Sequence, residues 1–191
     1  MVILTSCGII NDEQRNKFYK IISEEELASK KVLYVTTAVD GEESDDKHWM
    51  NLEYLTILAL GIKEENITEY KIGEEIDYRE FDIMYMMGGN TFYLLDMIRK
   101  YNFDKVIEKF AKEKIYIGSS AGSIILGNSI EVASSFDLNN VNMEDFTGLK
   151  LINGLIIPHA GRKEEFITNL RNNTNEELII IYDGDDKYYE L

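Results

Sequence analysis

Four short apolar runs limit what this chain can fold into. Residues 2–5 (VILT), 31–37 (KVLYVTT), 82–87 (DIMYMM) and 115–117 (IYI) are all β-prone. Each is followed by a glycine-bearing turn and then by a stretch with helical spacing. Runs apolar on both faces belong inside a parallel sheet covered by helices on both sides. Alternation of strand and helix through residue 128 therefore predicts an α/β fold. Its sheet is doubly wound and mostly parallel, with helices on both faces. A further strand is expected at 67–72. Helices are expected within 11–29, through Trp49 to Leu58, from Phe92 to Ile98, and at 103–112. An acidic loop, EESDD, separates residue 41 from the second of these. Beyond residue 130 the alternation weakens. The reading there is a strand at 131–136, a loop at 137–149, a strand at 154–157 and a helix at 163–172. A terminal hairpin of 177–182 with 186–191 is expected across Asp183-Gly184. The whole chain, 1–191, reads as one domain.

Ligands in such sheets sit beyond the carboxyl ends of the strands, and two glycine-rich turns fall there. One is Gly88-Gly89-Asn90. The other lies in KIYIGSSAGSIILGN, residues 114–128, where GSSAG fits G-x-S-x-G with Ser120 at its centre. Strand, sharp turn and buried helix start make the context of a nucleophile elbow, which exposes a serine at the strand edge. The amide of Ala121, at the helix N-terminus, is one donor to a developing oxyanion. The turn at Gly88 and Gly89 is the expected source of a second. A P-loop or dinucleotide turn fits neither segment, because no G-x-G-x-x-G or phosphate-binding lysine is present.

A serine nucleophile needs a base that is neutral near pH 7. Only two histidines exist. His48 lies in the acidic stretch DDKHWM and reads as a solvated helix start; His159 follows a strand-like run and the sole proline, Pro158. His159 is the candidate base. The residue orienting it must be a carboxylate or amide. Asp137, Asp145 and Asp183 are the candidates, and Asp137 is favoured by its place in the loop between Ser120 and His159.

Composition narrows the alternatives. A net charge of −15, with acidic residues spread along the chain, argues against nucleic-acid binding. The single cysteine, Cys7, gives no disulfide framework, and with two histidines leaves too few ligands for a His/Cys zinc site. No metal or organic cofactor is expected. No apolar run reaches the ~20 residues of a membrane helix, and MVILTSCG does not read as a signal peptide. A cytoplasmic location is the expectation, with no membrane partner.

GSSAG at 118–122, GGNT at 88–91, IPHAGR at 157–162 and VLYVTTA at 32–38 together resemble the serine peptidase family of aspartyl dipeptidase (dipeptidase E) and cyanophycinase. Ala160 stands where that family often has an aromatic residue. The resemblance implies a fold similar to class I glutamine amidotransferases. It also implies Ser120 as nucleophile, His159 as base, Asp137 as the acid, and Gly88, Gly89 and Ala121 as the oxyanion hole. Asn90 and Arg162 become candidate substrate contacts. The implied partner is a small peptide, hydrolysed by a monomer or homodimer. An esterase or amidase with the same triad, and a catalytically silent binding domain, are the competing readings.

Overall fold

The computed structural model describes residues 1–43 and 48–191. Of the expected acidic loop, residues 44–46 lie outside the described part. The main sheet has six strands: β1 (Val2–Thr5), β2 (Val32–Val35), β3 (Ile67–Tyr70), β4 (Ile83–Met86), β5 (Ile115–Ser119) and β8 (Asp186–Tyr189), in the order β3-β2-β4-β5-β1-β8. The first five are mutually parallel, and β8 closes one edge antiparallel to β1. Residues of one strand alternate between two cores. Ile83 and Tyr85 join Ile3, Val32, Tyr34 and Ile57 on one face, whereas Met84 and Met86 join Val2, Leu4, Leu33 and Val35 on the other. Apolar burial on both faces is what made these runs continuous rather than alternating.

Helices cover both faces, as a doubly wound sheet requires. They are α1 (Asp12–Phe18), α2 (Glu24–Leu27), α3 (His48–Leu58), α4 (Thr91–Lys100), α5 (Asp104–Glu113), α6 (Ala121–Ile124) and α7 (Glu164–Asn173). The helical region expected within 11–29 is split. Asn11 and Ser23 each open a capping box, with Gln14 and Glu26, so a second start signal interrupts the first helix. Residues 131–136, expected as a strand, form a 3₁₀ turn at Glu131–Ser135, closed by Ala133 N–H to the Ile130 carbonyl.

The terminal hairpin is also corrected. β7 (Leu178–Ile180) pairs in parallel with β6 (Leu155–Ile157) in a separate two-stranded sheet, while β8 crosses to the main sheet. Polar contacts from α1 draw the intervening turn across. Asn11 donates to the Gly184 carbonyl at 2.9 Å, Gln14 to the Asp185 carbonyl at 3.0 Å, and Lys17 pairs with Asp186 at 3.0 Å. Asp183 thus sits at the exit of β7, beside the exit of β6 where His159 lies. No helix among the described residues is long and apolar enough to cross a membrane.

Candidate active site

β1, β4 and β5 are neighbours, so their carboxyl ends bring Ser6, Gly88 and Ser120 to one crevice. Ser120 has φ 45° and ψ −107°, a conformation costing a non-glycine residue on the order of 1–3 kcal/mol. The surroundings hold it there. Ser120 N–H donates to the Thr5 carbonyl at 3.1 Å, and Ser123 Oγ bonds Thr5 and Gly118 at 2.8–3.1 Å. Tyr116 donates to the Gly122 carbonyl at 2.6 Å from beneath. The second glycine of the motif has a steric cause: a Cβ on Gly122 would lie 2.2 Å from the Met86 carbonyl oxygen. Ala121 is the first residue of α6, so its amide is one of the helix-end donors with no partner one turn back.

His159 enters from the small sheet with left-handed backbone angles, φ 55° and ψ 37°. Its Nε2 lies 3.1 Å from Ser120 Oγ, and its Nδ1 lies 2.7 Å from Asp183 Oδ1. A carboxylate accepts only, so Nδ1 carries the proton and Nε2 is free to accept from Ser120. Ser6 joins the two sheets here. Its hydroxyl accepts from the His159 backbone N–H at 2.6 Å and donates to Asp183 Oδ1 at 2.7 Å. Burial lowers the His159 pKa, and the bond to Asp183 only partly offsets this; Lys163 and Arg162 add to the lowering. The imidazole therefore gives up its added proton at lower pH than an ordinary histidine does. For Asp183, burial works upward, but Ser6, His159 and Arg162 together hold its carboxyl below the usual range.

The expectation for Asp137 is not met in the geometry. Its Oδ2 accepts from the Thr91 N–H at 2.7 Å, at the start of α4, while Asp183 takes the place beside His159. The physical reason is the strand pairing: parallel β6 and β7 end side by side, and the imidazole and the carboxylate follow two and three residues beyond those ends. Asp145 is farther out, pairing with Arg99 at 3.3 Å. Asn90, the other candidate contact, is not among the residues lining the crevice around Ser120. It is 3% exposed, caps α4 by accepting from Tyr93 N–H at 2.9 Å, and donates to the Leu138 carbonyl at 2.8 Å. Together Asp137 and Asn90 tie the 137–140 loop to the Gly88-Gly89 turn. Arg162 bonds Asp183 Oδ2 at 3.0 Å with most of its side chain exposed.

Two groups escaped the sequence reading. Lys163 stacks over Phe136, with Nζ 3.3 Å from the ring centroid, and burial lowers its pKa to about 8. Its Nζ has no hydrogen-bond partner and faces Asp137 and Asp183. The other is Glu53 on α3, 6% exposed, whose Oε1 accepts from the hydroxyl of Ser119, next to Ser120. Neither carries a motif; one is a lysine in a polar loop and the other one of many acidic residues. Among the described residues, no cluster of three His, Cys, Asp or Glu side chains is placed to hold a metal ion.

With this geometry in place, the comparisons with known proteins decide the family. The sequence matches peptidase family S51 over residues 2–186. The chain belongs to peptidase family S51. An uncharacterised peptidase of Listeria monocytogenes is 33% identical over 140 residues, covering 71% of this chain and 68% of that one. Peptidase E of Shewanella amazonensis is 35% identical over 111 residues, covering 56% of this chain and 46% of the relative. The alignment thus spans under half of that peptidase E. A solved Listeria monocytogenes structure, provisionally assigned as a peptidase E, superposes with a TM-score of 0.80 at 25% identity, covering 97% of this chain and 91% of that one. Membership of S51 makes the chain a peptidase, and the mostly parallel α/β sheet is the fold it shares with that structure.

Proposed function

We propose that the chain is a serine peptidase cleaving short peptides through Ser120, His159 and Asp183. One observation carries the reading. The strained serine, the imidazole and the carboxylate form a continuous chain of hydrogen bonds, 3.1 Å and 2.7 Å long. Ser120 Oγ attacks the scissile carbonyl carbon while His159 Nε2 takes its proton. The carbonyl oxygen becomes an oxyanion, held by the Ala121 amide and by the Gly88-Gly89 turn. Collapse expels the amine, which leaves with the proton from Nε2. Water then attacks the acyl-enzyme by the same route, with His159 again the base. Asp183 holds the Nδ1–H tautomer and offsets the imidazolium charge.

The crevice has two lobes that share Phe136, His159 and Arg162. One, about 580 Å³, includes Ser120 and the apolar wall of Ile10, Trp49 and Leu52. The other, about 590 Å³, holds Arg162 and Lys163. Two cations beside the base favour an acidic residue in the substrate, in keeping with dipeptides that begin with aspartate. The proposed setting is the cytoplasm. A fluorophosphonate should label Ser120 and leave Ser120→Ala unlabelled, and a dipeptide panel should be turned over in preference to simple esters. Labelling elsewhere, or esterase activity without peptidase activity, refutes the proposal.

A further inference from the structure

Glu53 is the buried acid that this mechanism does not use. It reaches from α3 through the core to the end of β5, a sequence separation of 66 residues. Its Oε1 accepts from Ser119 Oγ, and the Gly88 amide faces the same carboxyl. Gly88 in turn abuts the nucleophile: a Cβ there would lie 3.1 Å from Ser120 Cβ. Glu53 therefore touches both segments assigned to the oxyanion hole, one on each neighbouring strand.

The burial of the carboxyl bears on which protonation state fits. Glu53 Oε2 and the Tyr85 hydroxyl are both fully buried, and neither has a hydrogen-bond partner. They lie in one small polar cluster. A Cβ on Gly8 would be 2.5 Å from the Tyr85 hydroxyl, 3.0 Å from Thr56 Oγ1 and 3.5 Å from Glu53 Cγ. The Tyr85 hydroxyl can donate to either form of the carboxyl, but full burial without a cationic partner disfavours the charged one. The ionisable groups around the carboxyl are Cys7 after β1, Tyr34 on β2 and Tyr85 on β4. Glu42 and His159 line the same crevice farther off. No cation among the described residues pairs with Glu53.

We propose that Glu53 is a positioning residue for the nucleophile elbow and the Gly88 turn, and that it works as the neutral carboxylic acid. Ionised, it would compete with the substrate oxyanion for the Gly88 amide and set a negative charge behind the position where the oxyanion forms. Burial raises its pKa to about 7, within the range where this matters. Turnover then needs neutral His159 and protonated Glu53, so the rate falls on the alkaline side as one group ionises.

The inference rests on the serine-peptidase reading, and the closing experiment separates the two. Label wild type and Glu53→Gln with a fluorophosphonate at pH 6.5 and 8.5, and compare the two rates within each protein. Glutamine keeps the acceptor for Ser119, supplies N–H groups toward Tyr85 and cannot ionise. Wild type should slow on the order of twentyfold between the two pH values, as expected for one ionisation near 7; Glu53→Gln should not slow. Glu53→Asp, shorter by one methylene, should lose rate at both. A wild-type rate that does not fall, or an equal fall in Glu53→Gln, overturns the role of Glu53 and leaves the nucleophile standing. Absence of Ser120 labelling in wild type at either pH overturns both.

Discussion

Replacing Glu53 with glutamine should make the protein's stability less dependent on pH, by an amount the structure sets. The carboxyl has a folded-state pKa of about 7 against an ordinary 4.5, because burial disfavours its charge. A pKa raised on folding contributes stability that is fully present below the unfolded value, here 4.5, and is lost as pH rises through the folded value, here about 7. Each tenfold difference in proton affinity is worth roughly 1.4 kcal/mol. Between pH 5 and pH 8.5, wild type should therefore lose on the order of 2–3 kcal/mol that Glu53→Gln does not. The assay is urea unfolding of both proteins at the two pH values. Every other titrating group contributes equally to both, so the change with pH in their difference isolates Glu53. If that difference is constant within about 0.5 kcal/mol, Glu53 is ionised in the folded protein at both pH values. The burial argument would then be refuted.

Asp183→Asn should cut peptide turnover by roughly 10⁴-fold by presenting the wrong partner to His159 Nδ1. Asp137→Asn, which faces the Thr91 amide, should cost far less; steady-state kinetics of the pair tests the assignment, and the opposite ranking refutes it. Gly122→Ala should destabilise by several kcal/mol, because its Cβ would collide with the Met86 carbonyl oxygen. Thermal unfolding reads this directly, and an unchanged midpoint would show that the elbow has room to relax.

The parallel sheet was legible because its strands are buried on both faces and their apolar runs are uninterrupted. That Ser120 and His159 lie at strand ends, within reach of each other, was legible because each follows such a strand. Asp183 was misplaced for a physical reason. Residues 177–182 and 186–191 satisfy a hairpin pattern locally, and nothing local says that β7 prefers β6 while β8 prefers β1. That choice is made by contacts 170 or so residues apart, such as Asn11 with Gly184. The same long separation hid Glu53, whose role depends on a partner across the core. Asp137 was read as a chemical group from its place between Ser120 and His159, and Asn90 from its place in the GGNT turn. In the folded chain their polar atoms are spent on the amides that open α4 and on the loop carbonyl next to it.

The pairing of β6 with β7 carries a genetic consequence. Ile156 and Ile157 are matched to Ile179 and Ile180, and that match helps decide which residue emerges beside His159. A slip of one position would displace the acid by about 3.3 Å and turn its side chain to the opposite face. Ile179 is buried in the small sheet and does not line the crevice. Substitutions there that loosen the match should nonetheless be recovered in a loss-of-activity screen among the mutations of the triad, with the protein still abundant in the cell.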